Sequence, residues 1–181
     1  MTLTMPVGER DHAQGSADAP VTLVEYADYE CPYCGMAYPI VKHVQARFGD
    51  RLRFVFRNFP LENVHPHAQH AAEAAEAAGA QGRFWEMHDR IFEHQKRLRD
   101  EDLRAYAVDE GLDADRFALD LAGHAFAARV REDFMSGVRS GVNGTPTFFV
   151  DGVRHDGPWD AEDLIAAIER ALGEPRRAAA P

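Results

Sequence analysis

The chain has 181 residues, 30 acidic against 20 basic for a formal net charge of -10, and is 45% hydrophobic and 28% charged. That balance suits one soluble globular domain, or one domain carrying an insertion, and the negative field opposes sequence-independent binding to nucleic acid. No apolar run approaches the roughly 20 residues a transmembrane helix needs, so no membrane span is expected.

Residues 1–19 are polar and read as a loose lead-in. "MTLTMPVGERDHAQGSADAP" lacks the basic start and apolar core of a secretory signal, which makes the cytoplasm the expected compartment. A mature periplasmic or secreted form with an added Met has the same appearance. "PVTLVEYAD", Pro20 to Asp28, reads as a buried strand through Val21, Leu23 and Val24. A helix is predicted from about Cys34 to Phe48, with Ala37, Ile40, Val41, Val44 and Phe48 at helical spacing and Gly49 as its stop. "RLRFVFRNF", Arg51 to Phe59, alternates Leu52, Phe54 and Phe56 with a mostly basic face. Arg53 and Arg57 are expected to be solvated on that face. A right-handed crossover makes the two strands parallel.

The middle is helical. "HAAEAAEAAGAQG" is rich in the best helix former, interrupted at Gly79 and Gly82. "RFWEMHDRIFEHQ" sets Phe84, Trp85, His88, Ile91, Phe92 and Gln95 on successive turns, and "EDLRAYAVDEG" and "DADRFALDLAG" read as two short helices. Phe126, Val130, Phe134 and Val138 form an i, i+4 stripe read as core on a further helix. After Gly141, "TPTFFV" is a strand, Asp151–Gly152 a hairpin turn and "VRH" the return. Asp160 caps a last helix, "AEDLIAAIERAL", with Leu164, Ile165, Ile168 and Leu172 inward. The expected organisation is α/β: residues 20–60 and 141–173 form one domain, 61–140 an inserted helical subdomain, and 174–181 a flexible tail.

The only two cysteines, Cys31 and Cys34, lie in "EYADYECPYCGMAYP". With Cys31 just before the helix and Cys34 in its first turn, their Cα atoms are roughly 5 Å apart, within disulfide range. Pro32 suits the first helical position. The helix N-terminus favours a thiolate at Cys31, making it the attacking sulfur. A structural disulfide here closes only a short loop and constrains the unfolded chain little. A zinc site lacks half its ligands, because His65, His67 and His70 do not match the usual histidine spacing, so neither metal nor other cofactor is expected. Those histidines read as surface or capping residues. In a cytosolic chain a C-x-x-C beside a strand–helix–strand unit points to redox chemistry.

"CPYC" at a helix start, Pro39 within that helix, Glu25 six residues before Cys31 and the distant "TPTFFV" resemble the thioredoxin superfamily, in its DsbA-like branch. The resemblance spans about residues 18–172. It implies a thioredoxin-like fold with a helical insertion between the strand–helix–strand half and the hairpin–helix half. From residue chemistry Pro146 reads as a trans proline opening an edge strand; the resemblance implies a cis Thr145–Pro146 bond beside Cys31. There Thr145 can pair through its main chain with an extended substrate, while Pro32 and Tyr33 flank the same binding surface. It also implies that Glu25 is a buried acid below the dithiol, able to take a proton from Cys34; the plainer reading is a solvent-facing Glu at a strand end.

The implied activity is thiol–disulfide exchange on protein thiols or disulfides, with Cys31 as nucleophile and Cys34 resolving. The same cysteines could serve a peroxide or small-thiol reductase, and a non-catalytic folding helper is the alternative of another class. The redox partner is unknown and the expected state is a monomer. Tyr33 stands where DsbA itself has a histidine, which removes a cation from beside the thiolate and predicts a reduction potential more negative than that of a DsbA-type oxidant.

Overall fold

The structure, a computed structural model, describes residues 1–173; the expected tail at 174–181 lies outside the described residues. Five strands form one mixed sheet: β1 (His12–Gln14), β2 (Val21–Ala27), β3 (Leu52–Asn58), β4 (Thr147–Val150) and β5 (Val153–Arg154). Their order across the sheet is β1-β3-β2-β4-β5. β2 and β3 pair in parallel, joined by α1 (Pro32–Phe48), while β4 runs antiparallel to β2 and to β5. α2 (Ala68–Gly79), α3 (Phe84–Glu93), α4 (Asp100–Asp109), α5 (Ala114–Ala122) and α6 (Ala127–Arg139) follow β3, and α7 (Ala161–Ala171) follows the hairpin.

The alternating strands form because each has two apolar faces to cover. Leu23 and Ala27 of β2, with Phe54 and Phe56 of β3, pack toward α1, α3 and α7 in a cluster that also takes Ala71, Ala75, Leu103, Phe117 and Val130. The helical block therefore shares one core with the sheet. On the other face Val24, Tyr26, Val55, Phe59 and Phe149 are covered by Phe134 of α6 and by Leu3, Val7 and Ala13 from the N-terminal segment. The Asp151–Gly152 turn takes left-handed φ values of 47° and 76°, the pair that a two-residue hairpin needs. Asp160 accepts the Asp163 N–H at 3.0 Å and caps α7.

The structure departs from the sequence expectations at several points. The lead-in is ordered: β1 adds antiparallel to β3, and the Leu3 N–H donates to Gly152 O at 2.8 Å. Gly15, at φ 88°, lets the chain pass close over β3, because a Cβ there would lie 2.2 Å from Leu52 O. α1 begins at Pro32 rather than near Cys34. Arg57 is not solvated but 1% exposed, since both faces of β3 are covered. Its guanidinium donates to both Asp11 carboxylate oxygens at 2.7 and 3.0 Å, to the Met5 and Pro6 carbonyls and to Tyr26 Oη. Burial pushes the Asp11 carboxyl up, but the Arg57 and Gly8 hydrogen bonds outweigh it and hold the pKa below its ordinary value. In the α6 stripe Val130 is core, whereas Val138 faces solvent.

Candidate active site

Cys31 is the N-cap of α1, in extended backbone geometry, and Pro32 fills the first helical position. Cys34 lies one turn on, fully buried among the core residues under β2. Both sulfurs are free thiols. The amide of Gly35 donates to Cys31 O at 3.1 Å, closing the first turn. Gln95, from the segment after α3, donates through Nε2 to Tyr29 O at 2.8 Å and Cys31 O at 3.0 Å. Gly35 makes room for that side chain: a Cβ there would lie 2.0 Å from Gln95 Oε1.

The two sulfurs titrate in opposite directions. A hydrogen bond from Cys34 pulls the Cys31 pKa down to about 5 against the opposing effect of burial, and Thr145 with the Tyr33 and Cys34 amides pulls the same way. Burial pushes the Cys34 thiol well above its ordinary value, and the charges of Cys31 and Glu25 add to this. Such a split favours the thiolate form at Cys31 and the thiol form at Cys34. Glu25 is 3% exposed on β2, between Phe56 of β3 and Phe148 of β4. Burial raises its pKa to about 8, so near neutral pH it is a carboxylic acid able to exchange a proton.

The Thr145–Pro146 bond is cis and precedes β4. Thr145 O lies 3.5 Å from Cys31 Sγ. The buried Thr145 hydroxyl has no hydrogen-bond partner among the described residues and is a donor available to the Cys31 thiolate. Beyond Pro146 a cleft of about 170 Å³ is lined by Thr147, Phe148, Arg154, His155 and Trp159. Pro32 is exposed, and Tyr33 and Met36 turn 61% and 60% of their surface to solvent on the first turns of α1. Cys31, by contrast, is 3% exposed, so a partner sulfur must enter between this apolar rim and Thr145.

All seven sequence candidates, Glu25, Cys31, Pro32, Tyr33, Cys34, Thr145 and Pro146, fall at or around this one place. Others were missed. Asp28 is buried and accepts the Glu30 and Cys31 amides at 2.8 and 3.2 Å, while its own amide donates to Cys34 Sγ at 3.4 Å. An Asp whose side chain reaches the amides two and three residues on is a recognisable turn signal in "DYEC". His65 is not a free surface residue: its Nδ1 lies 2.8 Å from Asp28 Oδ2. Gln95 carries no local signal at all. His88, on the expected α3 stripe, is a buried core histidine against Tyr29 Oη at 3.0 Å, and burial drives its pKa well down.

Fold and site together define a thioredoxin-fold dithiol protein with a helical block between its two halves. A family model described as Thioredoxin matches residues 8–170. A thioredoxin-like oxidoreductase from Silicibacter pomeroyi DSS-3 superposes with a TM-score of 0.81 at 26% identity, covering 93% of this chain and 95% of that one. Alpha-DsbA1 of Wolbachia pipientis shares the fold with a TM-score of 0.79 at 19% identity, covering 94% of each chain. In sequence, the chain is 50% identical over 172 residues to Na(+)/H(+) antiporter NhaA 1 of Mycobacterium sp. (strain KMS). That match covers 93% of this chain but 28% of the relative, so the chain spans little more than a quarter of that protein's length. The chain belongs to the thioredoxin family, and it shares its fold with the DsbA protein of Wolbachia.

Proposed function

We propose that this chain is a thiol–disulfide oxidoreductase that exchanges disulfides with protein substrates through Cys31 and Cys34. The observation that carries this reading is geometric: Cys31 caps α1 with its sulfur 3.5 Å from Thr145 O at the cis Thr145–Pro146 bond, one turn from the buried Cys34, and the lowering of the Cys31 pKa to about 5 agrees with it. The Cys31 thiolate attacks one sulfur of a substrate disulfide, forming a mixed disulfide and releasing the other sulfur as a thiolate. Glu25, in its ionised fraction, takes the Cys34 proton; the Cys34 thiolate attacks Cys31 Sγ, the mixed disulfide breaks, and the substrate leaves reduced by two electrons. Run in reverse, the same steps oxidise a dithiol substrate. Thr145 offers its main chain to the substrate, and Pro32 and Tyr33 contact it. The exposed Tyr33 and Met36 favour a protein segment over a peroxide as the reacting partner.

In this reading the protein is a cytoplasmic monomer with residues 61–140 as an insertion, recharged by a separate dithiol or disulfide carrier. Antiport is not extended to it: the similarity covers 28% of that relative, and no helix among the described residues is long and apolar enough to cross a membrane. Mixing each single-cysteine variant with a reduced or oxidised protein substrate tests the reading. Cys31→Ser is expected to abolish exchange, and Cys34→Ser to accumulate a covalent adduct visible on a non-reducing gel. Full activity in both variants would exclude the dithiol mechanism.

A further inference from the structure

Asp28 is tied to two separate stretches of chain. Its Oδ1 accepts the amides of Glu30 and Cys31, and its Oδ2 accepts the amide of Leu61 at 2.8 Å and faces His65 Nδ1 at 2.8 Å. All four partners are nitrogens and three are certain donors, the environment of a carboxylate rather than a carboxylic acid. A buried carboxylate this close to the dithiol is a like charge to the Cys31 thiolate and opposes its formation. The opposing cation is His65, held against Asp28 from the connection between β3 and α2, with a side chain 19% exposed.

We infer that Asp28 and His65 form a positioning pair for Cys31, in which Asp28 fixes the amides of the loop before α1 and the His65 imidazolium cancels its charge. The inference rests on the dithiol reading and deepens it, because it assigns a cation to the site from outside the C-x-x-C motif. The charged groups facing His65 are Asp28, Cys31 and Glu30; those facing the dithiol from β2 and α1 are Glu25 and Cys34. Burial opposes the charge on His65, yet the hydrogen bond to Asp28 and the nearby anions raise its pKa on balance. As pH rises and His65 loses its proton, the Asp28 charge is left uncompensated beside Cys31.

Thiolate absorbance at 240 nm, followed against pH, reads the pair directly and needs no substrate. His65→Gln keeps an amide donor for Asp28 but removes the charge, whereas His65→Arg keeps a charge. The Gln variant is expected to raise the Cys31 pKa by about half a unit or more, the Arg variant not. Exchange by the Gln variant is then expected to slow about 1.5-fold or more near pH 5.5 and to match the parent at pH 8. A Cys31 titration unchanged in the Gln variant, or raised equally in both, overturns the inference by leaving only a structural role. If the His65 variants do not fold, the reciprocal measurement decides: the His65 ring titration by NMR should move down when Cys31→Ser removes the thiolate, and no movement overturns the inference. Failure of the parent to exchange any protein disulfide would count against the proposed function alone, since both titrations stand without turnover.

Discussion

Glu25 bears a carboxyl group at the centre of the sheet, where burial lifts its pKa from 4.5 to about 8. Its linkage to stability has the opposite sign to that of a salt-bridged acid. Between those two values the folded state holds a proton that the unfolded chain has released, so stability falls as pH rises from about 4.5 to 8. Glu25→Gln removes this penalty and is expected to stabilise the protein at pH 8 by on the order of 3 kcal/mol, measured by urea unfolding, with little gain at pH 4. The same variant is expected to slow resolution of the mixed disulfide by about 10²-fold, because Cys34 loses its base. A variant no more stable at pH 8 than at pH 4, or one that resolves as fast as the parent, would contradict this account. At this scale the sequence discloses the placement of the two sulfurs well. Cys31, Cys34 and Pro32 are visible because C-x-x-C at a helix start has few other uses. Asp28 and His65 are not, since 37 residues separate them and nothing local brings them together.

The entrance of α1 is set by a side chain from another element. Gln95 binds the carbonyls of Tyr29 and Cys31, and Gly35 is the residue that admits it. Gly35→Ala has two opposed effects: about 1 kcal/mol gained in helix propensity, and two hydrogen bonds lost as Gln95 withdraws, at about 1 kcal/mol each. The loss is expected to win by about 1 kcal/mol in the parent chain. In a Gln95→Ala background the clash is gone, and Gly35→Ala should be neutral or stabilising. A double-mutant cycle by chemical unfolding checks this, and simple additivity would count against the contact. The elements themselves were legible to different degrees. β2, α1 to α7 and the Asp151–Gly152 hairpin follow from periodicity, turn residues and capping. β1 does not: "HAQ" has no strand signal, and it is extended because β3 offers it an unpaired edge. The solvated face expected for β3 failed because period-two alternation cannot report a second cover laid over it by residues before β1.

Across the whole molecule, the property that sets the direction of electron flow is the stability difference between the dithiol and disulfide forms. A thiolate stabilised in the reduced form makes a couple more oxidising. The Cys31 pKa of about 5 lies between about 7 for thioredoxin and about 3.5 for DsbA. The reduction potential is therefore expected between about −270 and about −120 mV, more negative than a DsbA-type oxidant. Equilibration with glutathione redox buffers measures it, and a value at or above the oxidant end would show that Tyr33 does not weaken the couple. The Arg57–Asp11 pair belongs to this scale as well, because it ties the N-terminal segment to the middle of the sheet. Chain order alone made the architecture readable: a strand–helix–strand unit, a helical stretch, then a hairpin and helix admit few topologies, and two cysteines at that helix start name the chemistry. Folding settled which charges surround those sulfurs. Burial of Glu25, the reach of Gln95 and the meeting of Asp28 with His65 depend on packing between distant segments. Electrostatic environment is a property of spatial neighbours, which adjacency along the chain does not encode.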